Sequence, residues 1–276
     1  LLHELLNINL ILAIDLIAGI LCNVYLNKRK KRRAQSLNKK LLKQTESIPM
    51  GDFIITNNYQ FDSIPDQQMV IHAIDSRIWL MGNEDKELKQ ALLQSDILVP
   101  NGAGITLAAR WLTGKQIHNV SRDDLHLSIL QHLDKVAGSV FYLGASDRTL
   151  ALITERILTE YPNIRVKTYS PPYRDSFSEE ETNKMITAIN EFKPDVLFIG
   201  MSVSKQEKWI ATNRHLLHTH LISGIGAVFG FYGGTTSYPP QWRKQQSLSA
   251  IKILITALQI KNKKKSIKTS TEYETN

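Results

Sequence analysis

The sequence predicts an α/β fold, in which a doubly wound parallel sheet carries helices on both faces. Short apolar runs alternate along the chain with longer segments of helical pattern, and this alternation is typical of parallel sheets. Two of the runs, at 138–146 and 196–200, lead into a glycine turn. The second is apolar up to its glycine, as expected of a strand covered on both faces.

The predicted elements follow one another from about residue 68. We place the apolar strands at 68–74, 97–100, 138–146, 164–169, 196–200 and 220–224. We place the helical segments at 88–96, 106–114, 123–136, 148–161, from 178 to just before Pro194, and from 204 onward. Ser178 and Glu181 have the spacing of a capping box, which marks the start of the fifth of these helices.

The N-terminal segment is apolar enough to cross a bilayer. Residues 5–26 form a nearly continuous apolar run, about 33 Å of helix at a rise of about 1.5 Å per residue. Asp15 costs about 3 kcal/mol near the bilayer centre, whereas each Leu or Ile contributes about −0.5 kcal/mol. We therefore expect a transmembrane helix over 1–26, with a buried core helix as the alternative.

Positive charge is concentrated at the two ends of the chain. The whole chain carries +8, residues 27–50 also carry +8, and residues 261–276 carry +3, so the rest sums to −3. A mildly acidic domain with basic flanks indicates an anionic membrane as a partner rather than a nucleic acid. The basic run at 28–33 follows the apolar segment, and the positive-inside rule then predicts a single-pass protein of the cytoplasmic membrane with its globular domain in the cytoplasm.

These observations predict four regions. They are a transmembrane helix at 1–26, a basic linker at 27–50, an α/β domain at 51–245, and a C-terminal amphipathic helix with a basic tail at 246–276. In the last region one helical face collects Leu248, Ile251, Ile255 and Leu258, and Ile253 and Leu254 widen it. This face predicts either a helix packed on the core or a helix lying on anionic lipid.

Cysteine usage excludes two kinds of site. The one cysteine is Cys22, so the chain has neither an internal disulfide nor a cysteine-based zinc site. We expect no metal and no cofactor. The segment 224–230 reads G-x-G-x-x-x-G, one residue longer than the dinucleotide fingerprint, and no acidic residue follows about 20 positions later to bind a ribose.

Glycine-rich and polar turns follow several of the predicted strands. Ligands of open parallel sheets bind at the carboxyl ends of the strands, where these turns are expected to meet. Glycine lets a backbone approach a diphosphate closely, and helix N-termini direct N–H groups toward it. The candidate substrate-binding glycines are Gly102, Gly104, Gly144, Gly224 and Gly226.

Gln206 and Glu207 open a helix directly after the buried strand at 196–200. We predict that both side chains bind substrate at the carboxyl edge of the sheet. The alternative is a pair of solvated residues in the first turn of the helix, where the helix dipole favours a glutamate.

Four segments, taken in order, resemble the WecG/TagA/CpsF glycosyltransferase family (glycosyltransferase family 26), of which this chain would be a divergent member. The resembling segments are SDILVPNGAGITLAARWLTGK, VFYLGAS, PDVLFIGMSVSKQEKWIATNRHLL with GIGAVFGFYGG, and PPQWRKQQSL. Family members read P-D-[apolar]-G-x-[GA]-x-P-[KR]-Q-E-x-[WF]-I, then G-[VI]-G-[AG]-x-F-D and R-A-P-x-W. The likeness covers about 65–255.

The resemblance implies a Rossmann-like α/β domain with a C-terminal helical appendage that reaches the membrane. It implies an inverting, metal-independent enzyme that moves a hexose or N-acetylhexosamine from a UDP-sugar to a polyprenyl-diphosphate-linked acceptor, for a cell-surface polysaccharide. It leaves a homo-oligomer open.

The chain departs from the family pattern at residues that carry chemistry. The family has an aspartate, proposed as the catalytic base, where this chain has Asn101, and an amide cannot accept the proton at neutral pH. A family arginine falls at Asn119. Asp75 and Asp124 are the candidate replacements for the base, so Asn101, Asp75 and Asp124 form the predicted catalytic set. The alternative function is a catalytically impaired relative that binds a nucleotide-sugar or a partner enzyme as a scaffold or regulator.

Overall fold

The computed structural model describes residues 45–237 and 248–259. The predicted transmembrane helix at 1–26, most of the linker and the basic tail lie outside the described residues, as does the PPQWRKQQ segment. Within the described ranges, no helix is both long and apolar enough to cross a membrane.

A six-stranded parallel sheet forms the centre of the fold, as the sequence predicts. Its strand order is β4-β3-β8-β7-β5-β6, and every neighbouring pair runs parallel. A separate antiparallel hairpin joins β1 and β2. The strands are β1 Glu46–Met50, β2 Phe53–Asn57, β3 Met69–Ile74, β4 Ile97–Pro100, β5 Ser139–Gly144, β6 Arg165–Tyr169, β7 Val196–Gly200 and β8 Leu221–Gly224.

Helices connect the strands and cover both faces of the sheet. They are α1 Ser76–Glu84, α2 Lys86–Leu93, α3 Ala103–Thr113, α4 Arg122–Val136, α5 Asp147–Glu160, α6 Glu179–Phe192, α7 Lys205–Asn213 and α8 Val228–Tyr232, followed by α9 at 248–259. The predicted capping box is confirmed, because Ser178 N donates to Glu181 at 2.9 Å and Glu181 N donates to Ser178 Oγ at 3.2 Å.

Alternate residues of each strand enter different cores, since side chains of a strand point in turn to opposite faces. Tyr142 and Phe198 pack with α4, α5 and α8 on one face. Phe141 and Leu197 pack with α6 and α7 on the other. A third cluster lies under α1, α2, α3 and α9 and includes both strands of the hairpin. The sheet is therefore doubly wound.

Four elements were not predicted from the sequence, namely β1, β2, α1 and α8. β1 lies inside the range 27–50 that the sequence assigned to the basic linker. Only two of its side chains, Ile48 and Met50, alternate into the core, and so short a pattern does not predict a strand. The sequence also gave no helix at 76–84, where α1 forms. Its polar residue Asp75, predicted to be catalytic, accepts hydrogen bonds from Arg77 N and Ile78 N and so caps this helix.

The helix α9 has two apolar stripes with different roles. Ile253 and Ala257 are buried in the cluster that contains Ile105 and Ala108. The predicted face of Leu248, Ile251, Ile255 and Leu258 is exposed. The helix therefore packs on the core through Ile253 and Ala257, of which the sequence placed Ile253 only at the margin of the predicted face.

Candidate active site

The strand order brings the candidate turns and Asp75 to one edge of the sheet, here called the carboxyl edge. Asp75 follows β3, Asn101 follows β4, and the turns after β7 and β8 lie beside them. Asn101 N donates to Ile74 O at 2.9 Å, which ties the ends of β3 and β4 together. Because neighbouring parallel strands end at the same edge, residues distant in sequence meet there.

Gln206 contacts the turn after β8, as the sequence predicts. The side chain is buried, its Nε2 donates to Glu207 Oε1 at 2.9 Å, and its Oε1 accepts from Met201 N at 3.4 Å. A Cβ atom at Gly224 would lie 3.0 Å from Gln206 Cδ, and one at Gly226 would lie 3.5 Å from Gln206 Oε1. A side chain at position 224 would therefore press against the amide of Gln206.

Glu207 is buried as well, with only 2% of its surface exposed. Its Oε2 accepts a hydrogen bond from Ser204 N at 2.8 Å, so the carboxylate caps the start of α7. Burial raises the pKa of Glu207, against the opposing effects of the hydrogen bond from Gln206 and the charge of Arg122. The alternative of two solvated residues is wrong, since both side chains are enclosed.

His72 lies beside the same glycine and was not among the predicted site residues. Its Cε1 would be 3.1 Å from a Cβ at Gly224, and it is 2% exposed. Both ring nitrogens lack a hydrogen-bond partner among the described residues. Burial lowers the pKa of His72 to about 3, with smaller effects from Arg122 and Arg214, so the ring is neutral at physiological pH. A histidine within an apolar strand was the available sequence signal.

The two carboxylate oxygens of Asp75 have different hydrogen-bond partners. Oδ1 accepts from Arg77 N and Ile78 N, both at 2.9 Å. Oδ2 faces the guanidinium of Arg122, whose Nη1 and Nη2 both lie 3.3 Å away. Arg122 Nη2 also donates to Ala73 O at 2.8 Å. Arg122 was not among the predicted site residues, although an arginine in the first turn of a helix, where the dipole disfavours a cation, is a sequence signal for such a role.

The turn after β4 leads into the N-terminus of α3, which has no side-chain cap. Gly102 is exposed and adopts a φ of 91°. Its N–H donates to Asn119 Oδ1, so Asn119 fastens this turn. The half-buried Asn101 stands directly before it. Backbone N–H groups in the first turn of a helix have no partner within that helix and favour an anion.

Two of the candidate glycines serve close packing. A Cβ at Gly104 would lie 2.1 Å from Ser76 Oγ and 2.7 Å from the Cβ of Ala250, so Gly104 lets α1 and α9 approach α3. A Cβ at Gly144 would lie 2.3 Å from Gly200 O, between β5 and β7. The structure thus gives both glycines a packing role.

Asp124, the remaining predicted catalytic residue, is exposed in the first turn of α4. Its backbone N–H donates to Ser121 Oγ at 2.9 Å, so Ser121 caps the helix. Its carboxylate is thus accessible, whereas that of Asp75 is half-buried beside Arg122.

Other features of the described residues lie apart from this edge. One surface groove runs along α6 and β6 between Tyr169 and Glu191, and another lies between α5 and the turn at Gly234. Neither is lined by a predicted site residue. No group of three or more His, Cys, Asp or Glu side chains in the described ranges is placed to bind a metal ion.

Comparison with known proteins shows the family to which the chain belongs. The sequence profile of the family described as "Glycosyl transferase WecG/TagA/CpsF family" matches residues 56–251, which includes the whole six-stranded sheet and the carboxyl edge. The chain belongs to the WecG/TagA/CpsF glycosyltransferase family. The Rossmann-like fold expected for a member of this family is the one observed.

Several relatives in the WecG/TagA/CpsF family are named N-acetylglucosaminyldiphosphoundecaprenol N-acetyl-β-D-mannosaminyltransferase. The protein of Bacillus subtilis (strain 168) is 26% identical over 208 residues, 72% of this chain and 78% of its own. That of Bacillus spizizenii (strain W23) is 25% identical over 160 residues, 58% of this chain and 60% of its own. That of Staphylococcus aureus (strain NCTC 8325) is 26% identical over 147 residues, 53% and 56% of the two chains.

Proposed function

We propose that this chain transfers a hexose or N-acetylhexosamine from a UDP-sugar to a polyprenyl-diphosphate-linked acceptor during synthesis of a cell-surface polysaccharide. The observation that carries the proposal is the contact of Gln206 with Gly224 and Gly226 at the carboxyl edge, within the region that matches the family profile. The names of the relatives favour N-acetylmannosamine as the sugar and an N-acetylglucosaminyl-diphospholipid as the acceptor.

The reaction requires a base and a site for phosphate charge. In an inverting transfer the acceptor hydroxyl attacks the anomeric carbon, the bond from that carbon to the UDP oxygen breaks, and the hydroxyl proton passes to a base. Removal of a proton in the transition state contributes about 10²–10⁴-fold to such a rate. The uncapped start of α3 and the exposed Gly102 support binding of the phosphate groups at this edge.

We assign the role of base to Asp75. Its Oδ2 lies at the carboxyl edge with only long contacts of 3.3 Å to Arg122, so this oxygen retains capacity to accept a proton. Asp124, exposed in the first turn of α4, is the second candidate. Asn101 keeps the position that the family gives to its base, and there its amide can hydrogen-bond to the acceptor hydroxyl.

Sugar transfer is tested by UDP release from UDP-N-acetylmannosamine in the presence of N-acetylglucosaminyl-diphosphopolyprenol. We expect turnover by the unmodified chain, a loss of at least about 100-fold in Asp75→Asn, and no sensitivity to a metal chelator. Asn caps a helix as well as Asp does, so this substitution removes the base and retains the cap. Asp124→Asn tests the second candidate base in the same assay. The matched control is Asp85→Asn, which likewise caps a helix through its side chain and for which we expect an unchanged rate. Equal rates in the unmodified chain and Asp75→Asn would remove Asp75 from the mechanism.

The second candidate function is a binding protein without turnover, and Asn101 at the base position favours it. In that case the unmodified chain binds UDP but produces no UDP from the UDP-sugar, and Asn101→Asp restores turnover. Calorimetric titration of UDP, run beside the turnover measurement, separates a silent binder from a chain that does not bind nucleotide at all.

We also propose that the folded domain contacts an anionic membrane, in addition to the predicted N-terminal span, at the cytoplasmic face of the cytoplasmic membrane. Exposed apolar side chains lie on α3 and α9, which pack on each other: Leu107, Trp111, Leu248, Ile251, Ile255 and Leu258. Exposed Arg110 and Lys252 accompany them. Apolar area beside basic residues is the pattern of an interfacial contact.

Vesicle sedimentation tests this contact on residues 45–276, so that the predicted span does not dominate the result. We expect binding to vesicles with phosphatidylglycerol that decreases in Trp111→Ser with Ile251→Ser. Substitution of the exposed Leu158 on α5 by Ser is the matched control. Undiminished binding in the double variant would place the membrane contact elsewhere.

A further inference from the structure

Arg122 occupies an unfavourable position for a purely structural cation. It is the first residue of α4, where the positive end of the helix dipole disfavours a guanidinium. Asp123 and Asp124 follow it in the same turn and offset part of that cost. Arg122 nevertheless points back across the carboxyl edge to Ala73 O and Asp75. Because the helix dipole opposes a cation at this position, we look for a function of Arg122 at the carboxyl edge.

The pairing of Arg122 with Asp75 is loose. Both guanidinium nitrogens lie 3.3 Å from a single oxygen, Oδ2, whereas charge-assisted hydrogen bonds are about 2.7–2.9 Å long. Asp75 cannot turn to offer both oxygens, because Oδ1 is bound by Arg77 N and Ile78 N at 2.9 Å. Arg122 and Asp75 therefore do not form the two-pronged pair in which two guanidinium nitrogens each contact a different carboxylate oxygen.

The surroundings of Arg122 suit an incoming anion. The side chain is 20% exposed, so a ligand can reach it. The open start of α3 and Gly102 lie on the same edge, next to Asn101. Asn119, where the family has an arginine, is occupied with the N–H of Gly102.

We propose that Arg122 binds the diphosphate group of a substrate in two-pronged fashion and releases Asp75 when it does so. A phosphate offers two oxygens to the guanidinium where Asp75 offers one. This inference rests on the proposed transferase function for the identity of the diphosphate, which belongs either to the UDP-sugar or to the polyprenyl-diphosphate acceptor. The release of Asp75 leaves its Oδ2 available to the reaction.

Calorimetric titrations of the full chain in detergent test this proposal with four ligands. They are UDP, uridine, a short-chain prenyl-diphosphate-linked N-acetylglucosamine, and inorganic pyrophosphate. In Arg122→Ala we expect binding of one diphosphate ligand to weaken about tenfold or more, while uridine is unaffected. Arg122→Lys keeps the charge but loses the two-pronged geometry. We expect its affinity for the diphosphate ligand to lie between those of the unmodified chain and Arg122→Ala.

Two further variants separate ligand binding from a structural role. Asp75→Asn keeps the cap on α1 but removes the competing charge, so diphosphate binding is expected to tighten about two- to fivefold. Arg77→Ala removes an exposed arginine two residues after Asp75, and we expect no change. Thermal unfolding of each variant identifies any that fails to fold. If Arg122→Ala fails to fold, the diphosphate affinities of Arg122→Lys and Asp75→Asn decide whether Arg122 binds the ligand.

The outcomes are distinct. Weakened UDP binding in Arg122→Ala assigns the contact to the donor, and weakened binding of the prenyl ligand assigns it to the acceptor. If the unmodified chain binds only pyrophosphate and Arg122→Ala does not, the inference holds and the proposed function fails. If Arg122→Ala binds every ligand as the unmodified chain does, or if the unmodified chain binds no diphosphate, the inference is overturned.

Discussion

At the scale of single residues, the carboxyl edge combines features that the sequence pattern showed with others that it did not. The contact of Gln206 with the turn at Gly224 was predicted, because strand, glycine and polar pair follow one another in the chain. The ion pair between Asp75 and Arg122 was not, because it joins residues 47 positions apart. The buried His72 was not among the predicted site residues, because its place within an apolar strand does not show whether the ring packs in the core or faces a ligand.

Ser204, the residue directly before α7, has a backbone conformation that its side chain disfavours. Its φ is 77° and its ψ −43°, outside the regions that residues with a Cβ normally adopt. We expect Ser204→Gly to be more stable than Ser204→Ala by about 1 kcal/mol, because only glycine relieves the strain while both variants lose the hydroxyl. Urea unfolding of the two variants measures the difference. An alanine variant as stable as the glycine variant would show that the conformation is not strained.

At the scale of elements, α9 shows why a helical pattern does not reveal which face is buried. The apolar stripe with four residues is exposed, and the core receives Ile253 and Ala257 instead. The decisive contact is the approach of Ala250 to Gly104, which positions the helix on α3. Such an approach depends on two segments that lie about 150 residues apart, and therefore on tertiary packing.

Two isoleucines of α9 provide a matched pair for measuring this packing. Ile253 is fully buried, whereas Ile255 is 50% exposed. We expect Ile253→Ala to lower the free energy of unfolding by about 2–5 kcal/mol, because it leaves a cavity in the core. Ile255→Ala is expected to change it by less than about 1 kcal/mol. Urea unfolding measures both, and equal effects would mean that α9 does not pack as described.

At the scale of the whole molecule, buried histidines on both faces of the sheet link the fold to pH. His126 lies among aromatic side chains on one face, with Nε2 2.6 Å from the hydroxyl of Tyr142. Burial lowers the pKa of His126 to about 3, and of His72 on the opposite face to a similar value. In the unfolded chain both return to about 6.5. The unfolded state therefore binds more protons between these values.

The free energy of unfolding is expected to fall as the pH decreases from about 6.5 toward 3, by up to about 1.4 kcal/mol per pH unit for each histidine. The stability is fully present above pH 6.5. Glu207, whose pKa burial raises, acts in the opposite direction, since its stabilising protonated form is lost as the pH rises above its unfolded value.

Urea unfolding at pH 7.5, 6 and 5 measures this dependence. A His72→Leu variant is expected to have a shallower slope than the unmodified chain, because it removes one of the two titrating groups. The control is His218→Gln at an exposed position, for which we expect the original slope. Identical slopes in all three proteins would contradict the role of His72.

The sequence by itself determined the α/β class, the parallel sheet, most element positions and the place where the candidate turns meet. These follow from local periodicity and from glycine turns at strand ends, which are properties of short segments. Tertiary structure decided the strand order, the hairpin at 46–57, the buried stripe of α9 and the partners of Asp75. These depend on packing between segments far apart in the chain, because a side chain such as Arg122 acquires its role only from the groups that the fold places around it.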